Sequence, residues 1–83
     1  MIDLTEKSIV VTGGASGIGA AICDSANREG AHVGIIDVNE EAAQVLCQHL
    51  GDRACFAYGD VESEESMNNA LSNLSQNMPL FNG

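Results

Sequence analysis

The sequence predicts an α/β fold in which three parallel strands alternate with three helices in an open sheet. Three observations carry this. Short β-branched apolar runs alternate with segments of helical period, and the connections between them are short. The apolar runs also lack the in–out alternation of a half-exposed strand, which suits strands covered on both faces. Parallel neighbours then follow, with right-handed crossovers through the helices.

Ser8-Ile9-Val10-Val11-Thr12 is the first strand, ended by Gly13-Gly14. From Gly17 the period becomes helical. Ile18, Ala21, Ile22, Ser25 and Ala26 share one face, expected to be the apolar one, and Gly30 stops the run. His32 to Val38 forms the second strand. Asn39 then caps a second helix, with Glu40 and Glu41 at the positive end of its dipole. Ala43, Leu46, Cys47 and Leu50 are its stripe, and Gly51 suits a left-handed C-terminal position. Ala54 to Tyr58 is the third strand. Ser63 caps a third helix with the stripe Met67, Ala70, Leu71 and Leu74, and Pro79 marks its end.

Composition narrows the function classes. At 83 residues the chain is at most one small domain, and a domain of that size buries only about 60% of its unfolded surface. Twelve acids against three bases give a formal charge of −9, which repels nucleic-acid backbones and anionic lipid. Neither nucleic acid nor a membrane is expected as a partner. Cys23, Cys47 and Cys55 are odd in number and form no C-x-x-C pair, so reduced, buried thiols are expected. With His32 and His49 they show no zinc-ligand spacing, and no metal is expected. The acidic N-terminus carries no signal-peptide pattern, which points to a cytoplasmic setting.

Thr12-Gly13-Gly14-Ala15-Ser16-Gly17-Ile18-Gly19 lies where the first strand turns into the first helix. Unpaired N–H groups and the positive end of the helix dipole meet there, so a pyrophosphate could bind without a basic side chain. The glycine spacing is not the G-x-G-x-x-G fingerprint. Nor is it a P-loop, because Ala20 and Ala21 follow Gly19 where that motif needs Lys and Ser or Thr. Such a loop alone is equally an ordinary connection. Asp37 adds context: it closes the second strand 18 positions after Gly19, near the ~20-residue offset of an acid that holds the adenosine ribose hydroxyls. The competing reading is that Asp37 merely caps the next turn. No Lys or Arg lies in the loop or in Val38-Asn39-Glu40, so a 2′-phosphate would meet only Asp37, and NAD is favoured over NADP.

These residues, with Asp60-Val61 closing the third strand, resemble the N-terminal part of the short-chain dehydrogenase/reductase family. The likeness runs over essentially the whole chain. It implies a partial Rossmann fold of three layers, truncated before a fourth strand, so that residues 1–83 are an incomplete dinucleotide-binding domain. It also implies that the backbone around Gly13, Ser16, Gly17, Ile18 and Gly19 wraps the pyrophosphate and adjoining ribose. Asp37, with Val38 behind it, holds the adenosine ribose, and Asp60 and Val61 lie against adenine. For Asp60 a turn or helix-start role stands beside that reading.

The family's chemistry uses a Tyr general acid/base with a Lys four positions later, assisted by Ser and Asn. Here the residue four after Tyr58, the sole Tyr, is Glu62, and the sole Lys is Lys7. No catalytic residue is therefore assigned. The expected function is NAD binding for a parent oxidoreductase that transfers hydride between NAD and a hydroxyl or carbonyl substrate. The parent is expected to be a homo-oligomer and this chain inactive alone. The alternative is a noncatalytic NAD-binding or sheet-edge interaction protein, since the resemblance leaves the first strand at an edge.

Overall fold

The computed structural model describes residues 7–13 and 15–77. The predicted helix stop at Pro79 lies outside them. In chain order come β1 (Ser8–Thr12), α1 (Gly17–Arg28), β2 (His32–Asp37), α2 (Glu40–Leu50), β3 (Ala54–Tyr58) and α3 (Glu64–Asn77). The sheet order is β1-β2-β3 with both pairings parallel. Ser8 stands opposite His32 and Thr12 opposite Ile36; Val33 stands opposite Ala54 and Asp37 opposite Tyr58. This is the predicted partial Rossmann-like fold.

Strand alternation sorts the core into two halves. Val33 and Ile35, with Ile9, Val11, Ala54 and Phe56, pack against Cys23 and Ala26 of α1 and Ala43 and Leu50 of α2. Ile36 and Ala57, with Val10 and Cys55, pack against Ala70 and Leu74 of α3. Two helices on one face and one on the other make the three layers. Val33, Ile35 and Ile36 are fully buried, each worth about 1.5–3 kcal/mol against exposure. The predicted caps form: Asn39 Oδ1 accepts from the Ala42 N–H at 3.0 Å, and Ser63 Oγ accepts from the Ser66 N–H at 3.2 Å.

Several expectations are corrected. The first helix keeps Ala26 of the predicted face against the sheet but turns its other four residues away from it. Gly19, Cys23 and Ala26 are its buried residues, while Ala21 and Ser25 are exposed and Ile18 and Ile22 are 80% and 49% exposed. Small side chains let the helix lie on the strands, which moves the two isoleucines to its flank. Asn27 Nδ2 donates to the Leu50 carbonyl on the opposite flank, toward α2. At about 100° per residue, Ile18 and Ile22 therefore line the side beside β1's outer edge. β1 itself is only half-buried, because α3 packs over β3 and nothing pairs with that outer edge among the described residues.

β2 ends at Asp37, leaving Val38 exposed. Gly51 has φ 97° but ψ −154°, so α2 ends through an extended glycine-only conformation and not the left-handed helical one. Of the three cysteines only Cys23, absent from the predicted helical stripe, is fully buried; Cys47 and Cys55 are half-buried.

Candidate functional site

The turn after β1, where the sequence places the phosphate site, is built from the residues around Gly13. Gly13 carries φ 66°, a conformation that costs an L side chain energy, and its N–H donates to the Ile36 carbonyl at 2.7 Å. The Gly13 carbonyl then accepts from both the N–H and the hydroxyl of Ser16, at 3.1 and 2.7 Å. Ser16 is the N-cap of α1, yet its hydroxyl makes no capping bond, and the first turn holds no acid. The N-termini of α2 and α3 differ: each has a side-chain cap and two glutamates. The Gly17, Ile18 and Gly19 amides thus begin α1 without a side-chain cap, at the positive end of its dipole. A Cβ built on Gly17 would meet nothing within 4 Å. No atom of the described residues requires glycine there, so the open space fits a cradle for an approaching phosphate.

Beside this turn is a cleft of about 310 Å³ at the C-terminal ends of the strands. Gly13, Asp37, Val38, Asp60 and Val61 line it together with Gly59 and Glu62. Five of the nine predicted cofactor-binding residues therefore meet in one cleft, and Ser16, Gly17, Ile18 and Gly19 lie at the adjoining helix start. The Gly13 N–H is already used within the sheet, so Gly13 offers shape rather than a donor.

Both oxygens of Asp37 are held, Oδ2 by the Ala15 N–H at 3.1 Å and Oδ1 by the Asn39 N–H at 3.0 Å. Each carboxylate oxygen can accept a further bond, so the anion remains available to hydroxyl donors. Asp60 Oδ1 accepts from the Glu62 N–H at 2.9 Å, so the turn role read from sequence is realised. That bond occupies one oxygen and leaves the carboxylate capacity for an amine donor.

Sequence reasoning missed Ala15, whose contribution is a backbone amide, and Ser66, whose hydroxyl accepts from the Asp60 N–H at 2.9 Å. Ser66 follows the Ser63 cap by three positions, where Glu or Gln would complete a capping box. That spacing was the signal available. Asp37, Asp60 and Glu62 are the charged residues of the cleft, and no Lys or Arg lines it.

A family model described as short chain dehydrogenase matches residues 7–82. The chain belongs to the short-chain dehydrogenase family. It is 37% identical over 83 residues to the 2,5-dichloro-2,5-cyclohexadiene-1,4-diol dehydrogenase of Sphingobium indicum, covering 100% of this chain and 32% of that protein. Over 61 residues it is 46% identical to the 3-beta-hydroxysteroid dehydrogenase of Comamonas testosteroni, covering 74% of this chain and 24% of that one. It also superposes on the crystal structure of a 3-ketoacyl-(acyl-carrier-protein) reductase from Brucella melitensis complexed with NADH. That match has a TM-score of 0.88 and 25% identity, and covers 92% of this chain and 31% of that one. The chain thus spans about a third or less of these short-chain dehydrogenase relatives. Among its described residues no helix is long and apolar enough to cross a membrane.

Proposed function

We propose that these residues form the dinucleotide-binding part of a short-chain dehydrogenase, with NAD preferred over NADP. The observation that carries the reading is the cleft joining Gly13, Asp37, Val38, Asp60 and Val61 beside the uncapped start of α1. The amides of Gly17, Ile18 and Gly19 would hold the pyrophosphate, with the helix dipole supplying the counter-field and Ser16 shaping the turn. Asp37 would hold the adenosine ribose hydroxyls, with Val38 beside it, and Asp60 and Val61 would flank adenine. A 2′-phosphate would instead face Asp37, Asp60 and Glu62 with no cation in the lining, which disfavours NADP.

When bound, the nicotinamide supplies or accepts hydride, the counterpart being a hydroxyl or carbonyl group of the substrate. The residues described above would bind and orient the dinucleotide for that chemistry. The reading extends to a cytoplasmic, homo-oligomeric parent enzyme. A second reading, interaction through the sheet edge, is favoured by β1's outer edge, unpaired among the described residues, beside the exposed Ile18 and Ile22.

Titration calorimetry with NAD and NADP tests the proposal. NAD is expected to bind at least tenfold more tightly, and Asp37→Ala to weaken NAD by about ten- to a hundredfold, as for lost hydrogen bonds to a charged group. Absence of NAD binding at millimolar concentration, or equal affinity for both cofactors, would overturn it. Sedimentation tests the second reading, which requires self-association that Ile22→Gln abolishes.

A further inference from the structure

The turn after β1 is tied to β2 at two points of different kind. At its root the Gly13 N–H donates to the Ile36 carbonyl, a backbone bond that the parallel register supplies. Two residues further on, the Ala15 N–H donates at 3.1 Å to Oδ2 of Asp37, a side chain 22 positions away. The same carboxylate is fixed from behind, because its Oδ1 accepts from the Asn39 N–H at 3.0 Å at the start of α2. Its orientation is therefore set by the strand end and by the segment capping α2, independently of any ligand. The Ser16 hydroxyl and N–H both fold back onto the Gly13 carbonyl, so the residue just past the second anchor is tied to the first.

We propose that Asp37 is a positioning residue for the phosphate-binding turn in addition to its contact with ribose. Through Ala15 it fixes where the turn sits, and hence where the Gly17, Ile18 and Gly19 amides begin α1. The inference rests on the dinucleotide reading above, since it links the ribose and phosphate ends of that site. One consequence concerns cofactor choice. Exchanging Asp37 to admit a 2′-phosphate also releases the Ala15 amide, so the exchange weakens the pyrophosphate cradle that both cofactors share.

Electrostatics alone predicts the opposite sign. Removing a carboxylate beside a bound anion lowers repulsion and should strengthen anion binding. A ligand with no ribose hydroxyls for Asp37 to hold separates the two effects, and 2′,3′-dideoxyadenosine diphosphate is such a probe.

The experiment uses the full 83-residue chain as wild type, Asp37→Asn and Asp37→Ala. Amide hydrogen exchange at Ala15 is followed by NMR, with the Gly13 amide reporting that the sheet is intact. Dideoxy-ADP affinity is measured beside it. Ala15 exchange should accelerate about tenfold or more in Asp37→Ala and less in Asp37→Asn, whose carboxamide oxygen can still accept the bond. Dideoxy-ADP should bind about three- to tenfold more weakly to Asp37→Ala. Unchanged Ala15 exchange, or dideoxy-ADP binding as tight as wild type or tighter, would overturn the positioning role. If the wild type binds neither ADP nor NAD at millimolar concentration, the dinucleotide reading fails, and Ala15 exchange then decides the positioning role by itself.

Discussion

Gly59 sits between β3 and the turn to α3, packed against Ile36 of β2 and Ala70 of α3. A Cβ built there would collide with Cγ2 of Ile36 and lie 3.0 Å from the Cβ of Ala70. Ile36 is fully buried at a strand end and Ala70 belongs to α3, so neither gives way cheaply. Gly59→Ala is therefore expected to destabilise the fold by about 1–3 kcal/mol, as overpacking does, measured as a shift in urea midpoint at constant slope. The same substitution should disturb the cleft, because Gly59 lines it between Asp37 and Asp60. Ordinary stability there would mean that α3 can slide off β2. In the sequence Gly59 is simply the residue that follows the third strand. The close approach that demands glycine is set by how α3 crosses the sheet.

At the scale of elements, the strands and helices were legible because local signals agree with one another. Asn39 and Ser63 cap the helices they precede, and the stripes Ala43–Leu50 and Met67–Leu74 face the core. The site was legible to a similar depth. Gly13, Asp37 and Asp60 lie at or just past the C-terminal ends of three neighbouring parallel strands, so topology alone brings them together. What remained hidden depends on contacts between elements. α1 is the clear case: hydrophobicity favoured the isoleucine face, whereas its packing keeps Ala26 of that face and adds the small residues Gly19 and Cys23. Substitutions on the two faces should respond accordingly. Ile22→Gln is expected to change stability by no more than about 0.5 kcal/mol, as exposed sites do. Ala26→Leu, against the sheet, should cost about 1–3 kcal/mol. Urea denaturation of both variants checks this, and a larger loss in Ile22→Gln would restore the original face.

The molecule as a whole carries a charge of −9 around a small core, and its three thiols all lie in or beside that core. Burial pushes each of them up, and Cys47 reaches about 11 because the neighbouring Cys55 and Cys23 add to the effect of burial. In the unfolded chain a thiol ionises near its ordinary value of 9.0. Below that pH both states hold the proton and stability does not depend on it. Between about 9 and about 11 the unfolded chain releases protons that the folded Cys47 retains, so it binds fewer protons and stability falls as pH rises. Thiolates formed in the folded state would add to a negative charge that already opposes compaction. The urea midpoint under reducing conditions should thus be flat from pH 7 to about 8.5 and decline through about pH 11. Cys47→Ala lowers the midpoint at every pH by removing core contacts, so the informative quantity is its slope against pH. That slope should be shallower than the wild type's above pH 9, whereas identical slopes would assign the alkaline loss to groups other than Cys47.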